Sequence, residues 1–338
     1  MKNKHLLFLP LVALTITSCT GVRHNVSEYV LKKTVQFNSE RGNFNILQLT
    51  DIHLGDKDYQ DIHYKFMDLT IRDAIEHQGV DFIAVTGDLF TVASRNTVTR
   101  MIDFFNSYKI PWTCVFGNHD EQCYFSVDWL TEQLNNAGQY CYFKDIQDDD
   151  VFGNCNFAVN VMKDGNVFEQ LIMMDSNRYC YNPKYMGYDY FKQDQIDWYK
   201  RLMQHNLNEY GGILHSLMFY HIPLPEINDA WDKRDSDPTG ENYWYYTGEK
   251  NEDCCPPKYN SGFFDVIKEA NSTDGMFFGH DHVNNFIVKY QGIIFGYGIK
   301  STERIYYEDT MMGGRVISLD EEHKLSFTDI YHTYGEVM

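Results

Sequence analysis

What the sequence has little of narrows its function first. Beyond the N-terminus there is no apolar run of about 18 residues, so no transmembrane helix is expected there. Positive charge is scarce: Lys and Arg total 29 against 48 Asp and Glu, a formal charge of −19 with histidine neutral. Such a surface repels a phosphate backbone, so no nucleic-acid partner is expected. A small phosphate ester entering a site that holds its own cations is not excluded. No C-x-x-C pair suggests structural zinc. No G-x-S-x-G suggests a serine hydrolase, and no G-x-x-x-x-G-K-[ST] a nucleotide-binding loop. What is there is 338 residues, 43% hydrophobic and 23% charged, enough apolar material for a sizeable core.

The N-terminus reads as an address. Lys2 and Lys4 precede an apolar stretch from Leu6 to Ile16, which has signal-peptide length. The following Ile16-Thr17-Ser18-Cys19 resembles the lipobox of bacterial lipoproteins. That resemblance implies a signal peptide over residues 1–18, lipidation of Cys19, and an exported, membrane-anchored protein facing the periplasm or the cell surface. Removal of residues 1–18 takes two lysines and no acid, leaving a charge of −21. The other seven cysteines are odd in number and show no disulfide framework, so mostly buried free thiols with at most one bridge are expected.

Residues 19–43 read as a polar tether, and residues 44–338 as one domain. Apolar runs predict strands over 44–50, 81–86 and 112–116, with amphipathic helices over 62–77 and 97–108 between them. Three such units in succession argue for parallel strands with helices on the sheet faces. A helix over 127–136, a hairpin over 156–174 closed by Lys163-Asp164-Gly165-Asn166, a helix over 191–206 and a strand over 214–220 follow. Past Asp274 the short apolar runs predict mostly antiparallel strands. The expected fold is a four-layer α/β/β/α arrangement, two facing mixed sheets flanked by helices.

The polar residues of interest fall at the ends of these strands: Asp51-Ile52-His53, Gly87-Asp88, Gly117-Asn118-His119-Asp120, His221 and Gly279-His280-Asp281-His282. In open α/β sheets ligands bind beyond the carboxyl ends of the strands. Carboxylates, imidazoles and an amide without thiolate suit Mn, Fe or Zn. Seven candidate ligands exceed the needs of one tetrahedral ion, so two ions sharing a carboxylate is the economical reading.

The ordered set D-x-H, G-D, G-N-H-D/E, H and G-H-x-H resembles the calcineurin-like metallophosphoesterase superfamily from about Phe44 to Leu319. The resemblance implies two mixed sheets flanked by helices and a dinuclear centre of divalent or trivalent ions at one edge. It implies that Asp51, His53 and His282 bind one ion, that Asn118, His221 and His280 bind the other, and that Asp88 bridges. His119 matches the catalytic histidine. Longer matches, His221-Ile222-Pro223-Leu224-Pro225-Glu226 and Gly279-His280-Asp281-His282-Val283-Asn284-Asn285-Phe286, are similar to the small purple-acid-phosphatase-like subgroup. One position departs. Three residues after Asp88, where purple acid phosphatases carry Tyr and protein serine/threonine phosphatases carry Asp, stands Thr91. The tyrosinate of a purple Fe(III) centre is therefore absent, and so is the usual carboxylate partner of the catalytic histidine. Asp120 is adjacent to His119 in the chain, so no direct contact between their side chains is expected.

The implied activity is hydrolysis of a phosphate ester, foremost a phosphomonoester, by in-line attack of a hydroxide held between the ions, with Asp88 and His119 in the reacting centre. His119 would protonate the leaving alkoxide. A phosphodiesterase using the same ligands, and a non-catalytic surface-binding lipoprotein, are the competing readings. Arg178 and Asn118 are candidate phosphate-binding residues. The aromatic stretch 231–259 is either a cover for the substrate or the packing of a long insertion.

Overall fold

The computed structural model describes residues 25–56, 60–146 and 150–337. Residues 1–18 and Cys19 lie outside them. The strands are β1 Val35–Gln36, β2 Asn43–Leu49, β3 Phe82–Thr86, β4 Trp112–Val115, β5 Phe157–Lys163, β6 Asn166–Met173, β7 Tyr179–Cys180, β8 Gly187–Tyr188, β9 Ser216–Phe219, β10 Tyr243–Thr247, β11 Thr273–Phe278, β12 Ile287–Tyr290, β13 Ile293–Tyr297, β14 Gly313–Asp320 and β15 Leu325–Tyr331. The helices are α1 Gln60–His77, α2 Arg95–Ser107, α3 Val127–Asn135, α4 Gln193–Tyr210, α5 Ile227–Lys233, α6 Phe263–Ala270 and α7 Tyr334–Val337. None of the described helices is long and apolar enough to cross a membrane.

Five strands form one sheet in the order β15-β14-β2-β3-β4, and eight form another in the order β1-β5-β6-β9-β11-β13-β12-β10. Strands β2, β3 and β4 run parallel, as do β6, β9, β11 and β13, so their carboxyl ends gather along one rim. The strands past Asp274 are antiparallel as expected, except β11, which lies parallel to both β9 and β13. Its buried position between two parallel neighbours explains its unbroken apolar run Met276-Phe277-Phe278.

Side chains sort by alternation. Phe44, Ile46 and Gln48 of β2 face the other sheet, where Gln48 Nε2 donates to the carbonyl oxygen of Phe278 at 3.1 Å. Leu47 and Leu49 face Gly314 and the α1 residue Thr70. On the larger sheet, Leu217, Phe219 and Phe277 join the core between the sheets, while Met218, Tyr220, Met276 and Phe278 pack with Trp198, Tyr199, Phe263 and Phe264 of α4 and α6. The predicted hairpin turn is present: Lys163 pairs with Asn166, and Asp164 and Gly165 take φ of 51° and 80°. Both central residues being left-handed is the type I′ pattern.

One expectation is corrected. The described part of the segment read as a tether packs on the fold: β1 lies parallel to β5, and Tyr29, Leu31, Val35 and Phe37 are buried. Of the two readings left open for the aromatic stretch 231–259, packing describes Trp231, Tyr243 and Tyr246, while Trp244 and Tyr245 are exposed. The stretch contributes β10, antiparallel to β12 at the sheet edge, with Trp231 against Phe286, Tyr243 against Tyr290 and Tyr246 against Phe327. Short patterns of mixed period at an edge carry little hydrophobic signal, which is why β1 and β10 escape a reading by periodicity. The seven described cysteines are all unpaired thiols, five of them buried.

Candidate metal centre

Five strand ends deliver polar side chains to the common rim. β2 leads into Asp51 and His53, β3 into Asp88, β4 into Asn118 and His119, β9 into His221, and β11 into His280 and His282. Four of these residues, Asp51, His53, Asp88 and His280, hold positive φ of 52°, 44°, 50° and 84°. Non-glycine residues adopt this region only at a cost, and such strain concentrates where side chains must be aimed. Glycines permit the crowding. A Cβ on Gly117 would collide with Asp88 and His221, and one on Gly279 with Thr50 and Asp51.

One ligand atom from each of Asp51, His53, Asp88 and His282 lies within 4.8 Å of the others. Asp88 stands between two groups: its Oδ2 is 3.6 Å from His53 Nε2 and 3.3 Å from His221 Nε2. On the first side His282 Nε2 lies 3.4 Å from Asp51 Oδ1 and 3.1 Å from His53 Nε2. On the second side the rings of His221 and His280 are 5.2 Å apart. All seven residues expected to be ligands are buried. Asp51 Oδ1, Asn118 Oδ1, His221 Nε2 and His280 Nε2 have no hydrogen-bond partner. A buried polar atom without a partner is costly, so four of them in one cluster fit cation binding.

The far nitrogens of the imidazoles are held by the fold. His53 Nδ1 is 2.7 Å from Thr91 Oγ1, His221 Nδ1 is 2.8 Å from the carbonyl oxygen of Thr86, and His282 Nδ1 is 2.9 Å from that of Tyr306. A carbonyl can only accept, so Nδ1 carries a proton in the latter two and Nε2 is the atom turned toward the cluster, where it can bind a cation once it is unprotonated. Burial pushes the carboxyls of Asp51 and Asp88 up, yet the neighbouring imidazoles hold both below the ordinary carboxylate range. Burial, with His221 beside it, takes His280 down to about 3, and burial with Lys300 nearby takes His53 well below its usual value. For His221 burial is outweighed by Asp88, raising it to about 10. Lys300 is buried against the cluster, its Nζ donating to the carbonyl oxygen of Asp51 at 2.9 Å, and burial lowers it to about 8.

His119 stands at the edge of this group, half-buried, its ring 5.2 Å from that of His53. Its backbone N–H donates to Asp88 Oδ1 at 2.8 Å, and its Nδ1 lies 2.8 Å from Gln122 Oε1. Asp120 turns away from His119 and accepts the backbone N–H groups of Gly117 and Phe90 at 2.7 and 2.9 Å. Gln122 was missed by sequence reasoning. The only available signal was an amide three residues beyond His119, within reach across a tight turn.

Two substrate-binding candidates fall differently. Asn118 lies in the cluster, its Nδ2 donating to Tyr179 Oη at 3.0 Å. Arg178 is outside it, 3.7 Å from Glu121 and lining a cavity of about 540 Å³ with Asp128, Asp175 and Asp194. Sequence reasoning also missed the aromatic surround: Tyr188 meets His280 edge-on at 4.2 Å, and Tyr306 stacks on His282 at 4.1 Å.

The sequence profile described as "Calcineurin-like phosphoesterase" matches residues 44–284. "Probable inactive purple acid phosphatase 29" of Arabidopsis thaliana is 28% identical, the match covering 77% of this chain and 72% of that protein. "Phosphatase DCR2" of Saccharomyces cerevisiae is 26% identical, covering 74% of this chain and 46% of its own length. Among solved structures, a dimetal phosphatase from Danio rerio has a similar fold, with a TM-score of 0.52 at 14% identity over 82% of this chain and 95% of that one.

Proposed function

The chain belongs to the calcineurin-like phosphoesterase family, and from that premise we propose that it hydrolyses phosphomonoesters. It is a metal-dependent phosphoester hydrolase by family, with a buried Asp/His cluster for the metal. The observation that carries the reading is the buried group of Asp51, His53, Asp88 and His282, whose ligand atoms lie within 4.8 Å of one another, with the ring of His119 5.2 Å from that of His53. Relatives named as phosphatases support the monoester preference. The word inactive in the plant relative's name belongs to that protein; here all seven ligand positions and His119 are present.

Asp51, His53, Asp88 and His282 would hold one ion, and Asn118, His221 and His280 with Asp88 the other. Ions bound there would supply Lewis acidity toward phosphoryl oxygens and a nucleophilic water at neutral pH. Asp88 keeps the two groups of ligands at a fixed separation, and its Oδ1 ties down the backbone of His119. His119 delivers a proton from Nε2 to the departing ester oxygen while Nδ1 stays bonded to Gln122. The same reading has the enzyme displayed on a membrane through lipid on Cys19, supported by the residues preceding that cysteine.

The test compares the Mn-loaded chain from Thr20 on p-nitrophenyl phosphate and bis-p-nitrophenyl phosphate, with Asp88→Asn as control. Faster cleavage of the monoester, lost with the metal in the control, is expected. A preference for the diester would replace this reading with the phosphodiesterase. Bound metal with no cleavage of either ester would leave the binding-protein reading.

A further inference from the structure

The ribbon of β7 and β8 stands apart from both large sheets, and Tyr179 and Tyr188 are cross-strand partners in it. Partners in an antiparallel pair project to the same face. The two rings stack at 5.8 Å with 27° between their planes. Each tyrosine also touches the side chain of a residue expected to bind the second ion. Tyr179 Oη accepts from Asn118 Nδ2 at 3.0 Å, and Tyr188 meets the His280 ring edge-on at 4.2 Å. Asn118 and His280 are buried, whereas both tyrosines are partly exposed. The pair therefore forms the solvent edge of this half of the cluster.

The hydroxyl of Tyr179 has a hydrogen bond to spare. A phenol both accepts and donates. Its oxygen accepts from the Asn118 amide, and its O–H has no acceptor among the described residues. Asn118 Oδ1, the other arm of that amide, is the buried atom left without a partner for the ion. A phosphoryl oxygen held at this group of ligands would be flanked by the amide and the phenol. Arg178, the preceding residue, points to Glu121 instead.

We infer that Tyr179 binds the substrate directly, its phenol donating a hydrogen bond to a non-bridging oxygen of the phosphoryl group. The inference rests on the phosphoesterase reading above. A bond from this O–H to an anionic oxygen is charge-assisted, and a ring already stacked on Tyr188 loses little freedom in making it.

Calorimetric titration of the Mn-loaded protein with inorganic phosphate tests this without relying on turnover. Tyr179→Phe keeps the ring against Tyr188 and removes only the hydroxyl. It is expected to bind phosphate about 10-fold more weakly, the scale of one lost hydrogen bond to a charged group. Its Mn affinity, measured by chelator competition, should equal that of the wild type. Tyr181→Phe, in the loop of the same ribbon and 78% exposed, is the control and should match the wild type in both. Equal phosphate affinity in wild type and Tyr179→Phe overturns the inference, as does a wild type that binds no phosphate. An equal weakening in Tyr181→Phe overturns it as well. So does a parallel fall in Mn affinity in Tyr179→Phe, which would make the hydroxyl a support for Asn118 alone. Phosphate binding weakened as expected, in a protein that cleaves neither nitrophenyl ester, would keep the role of Tyr179 and remove the hydrolase reading. Cleavage with equal phosphate affinities would do the reverse.

Discussion

Nδ1 of His119 lies 2.8 Å from the side-chain oxygen of Gln122, where a carboxylate partner is usual in the proteins this sequence resembles. The amide orients the ring without adding charge beside it. Gln122→Ala should lower kcat about 10-fold, a loss of roughly 1.4 kcal/mol of transition-state stabilisation, with metal content unchanged. Gln122→Glu should restore orientation and move the alkaline limb of the kcat profile to higher pH, because a carboxylate favours the protonated ring. A pH–rate series on all three proteins checks this. Identical limbs in wild type and Gln122→Glu would show that the contact does not persist during turnover.

Replacing His119 itself should leave the ligand cluster intact. His119→Ala is expected to retain its metal by elemental analysis and to lose about 10²- to 10⁴-fold in rate on an alkyl phosphate, with a smaller loss on a nitrophenyl ester whose leaving group needs no proton. Near-full rate on the alkyl ester would remove the proton-donor role.

Thr91 touches the protein's chemistry through His53. Its hydroxyl lies 2.7 Å from Nδ1 of that ring. Thr91→Val, close in shape, removes the hydroxyl and should weaken metal affinity about 10-fold, the usual scale for loss of a group that orients a ligand histidine. Competition with a chelator measures it. An unchanged affinity would mean that packing alone holds the ring.

Away from the centre, His215 Nδ1 is 2.7 Å from Asp274 Oδ2, with the His323 ring stacked 4.0 Å away. The bond to Asp274 raises the His215 pKa, against burial and with a smaller contribution from Glu169. A raised histidine binds its proton more tightly in the folded state, so the stabilisation is complete below about pH 6.5 and fades as pH rises through the folded value. Both side chains are more than a third exposed, at 42% and 36%, which screens the pair. Asp274→Asn should therefore cost under about 1 kcal/mol at pH 6 and less at pH 8. Urea unfolding across that range measures it, and an equal loss at both pH values would exclude the charge linkage.

Much of the fold was legible because the central strands are short apolar runs that stop at polar residues. Asp51, Asp88, Asn118, His221 and His280 each follow such a run, and because ligands gather at strand carboxyl ends the sequence order alone places them together. The helices α1, α2 and α4 were visible from their spacing, with ends displaced by a few residues. The edge strands β1 and β10 were not, since a strand paired on one side leaves an irregular pattern.

The sequence by itself determined which chemical groups the centre contains and the order in which the strands deliver them, because both follow from residue identity and local hydrophobic period. Only the tertiary structure decided what those groups touch. Gln122 instead of Asp120 as the partner of His119, Thr91 behind His53, Tyr306 over His282, and Arg178 turned toward Glu121 depend on loop paths and on distances between elements far apart in the chain. Contacts across loops follow the packing of two sheets against each other, a non-local balance that no local pattern encodes.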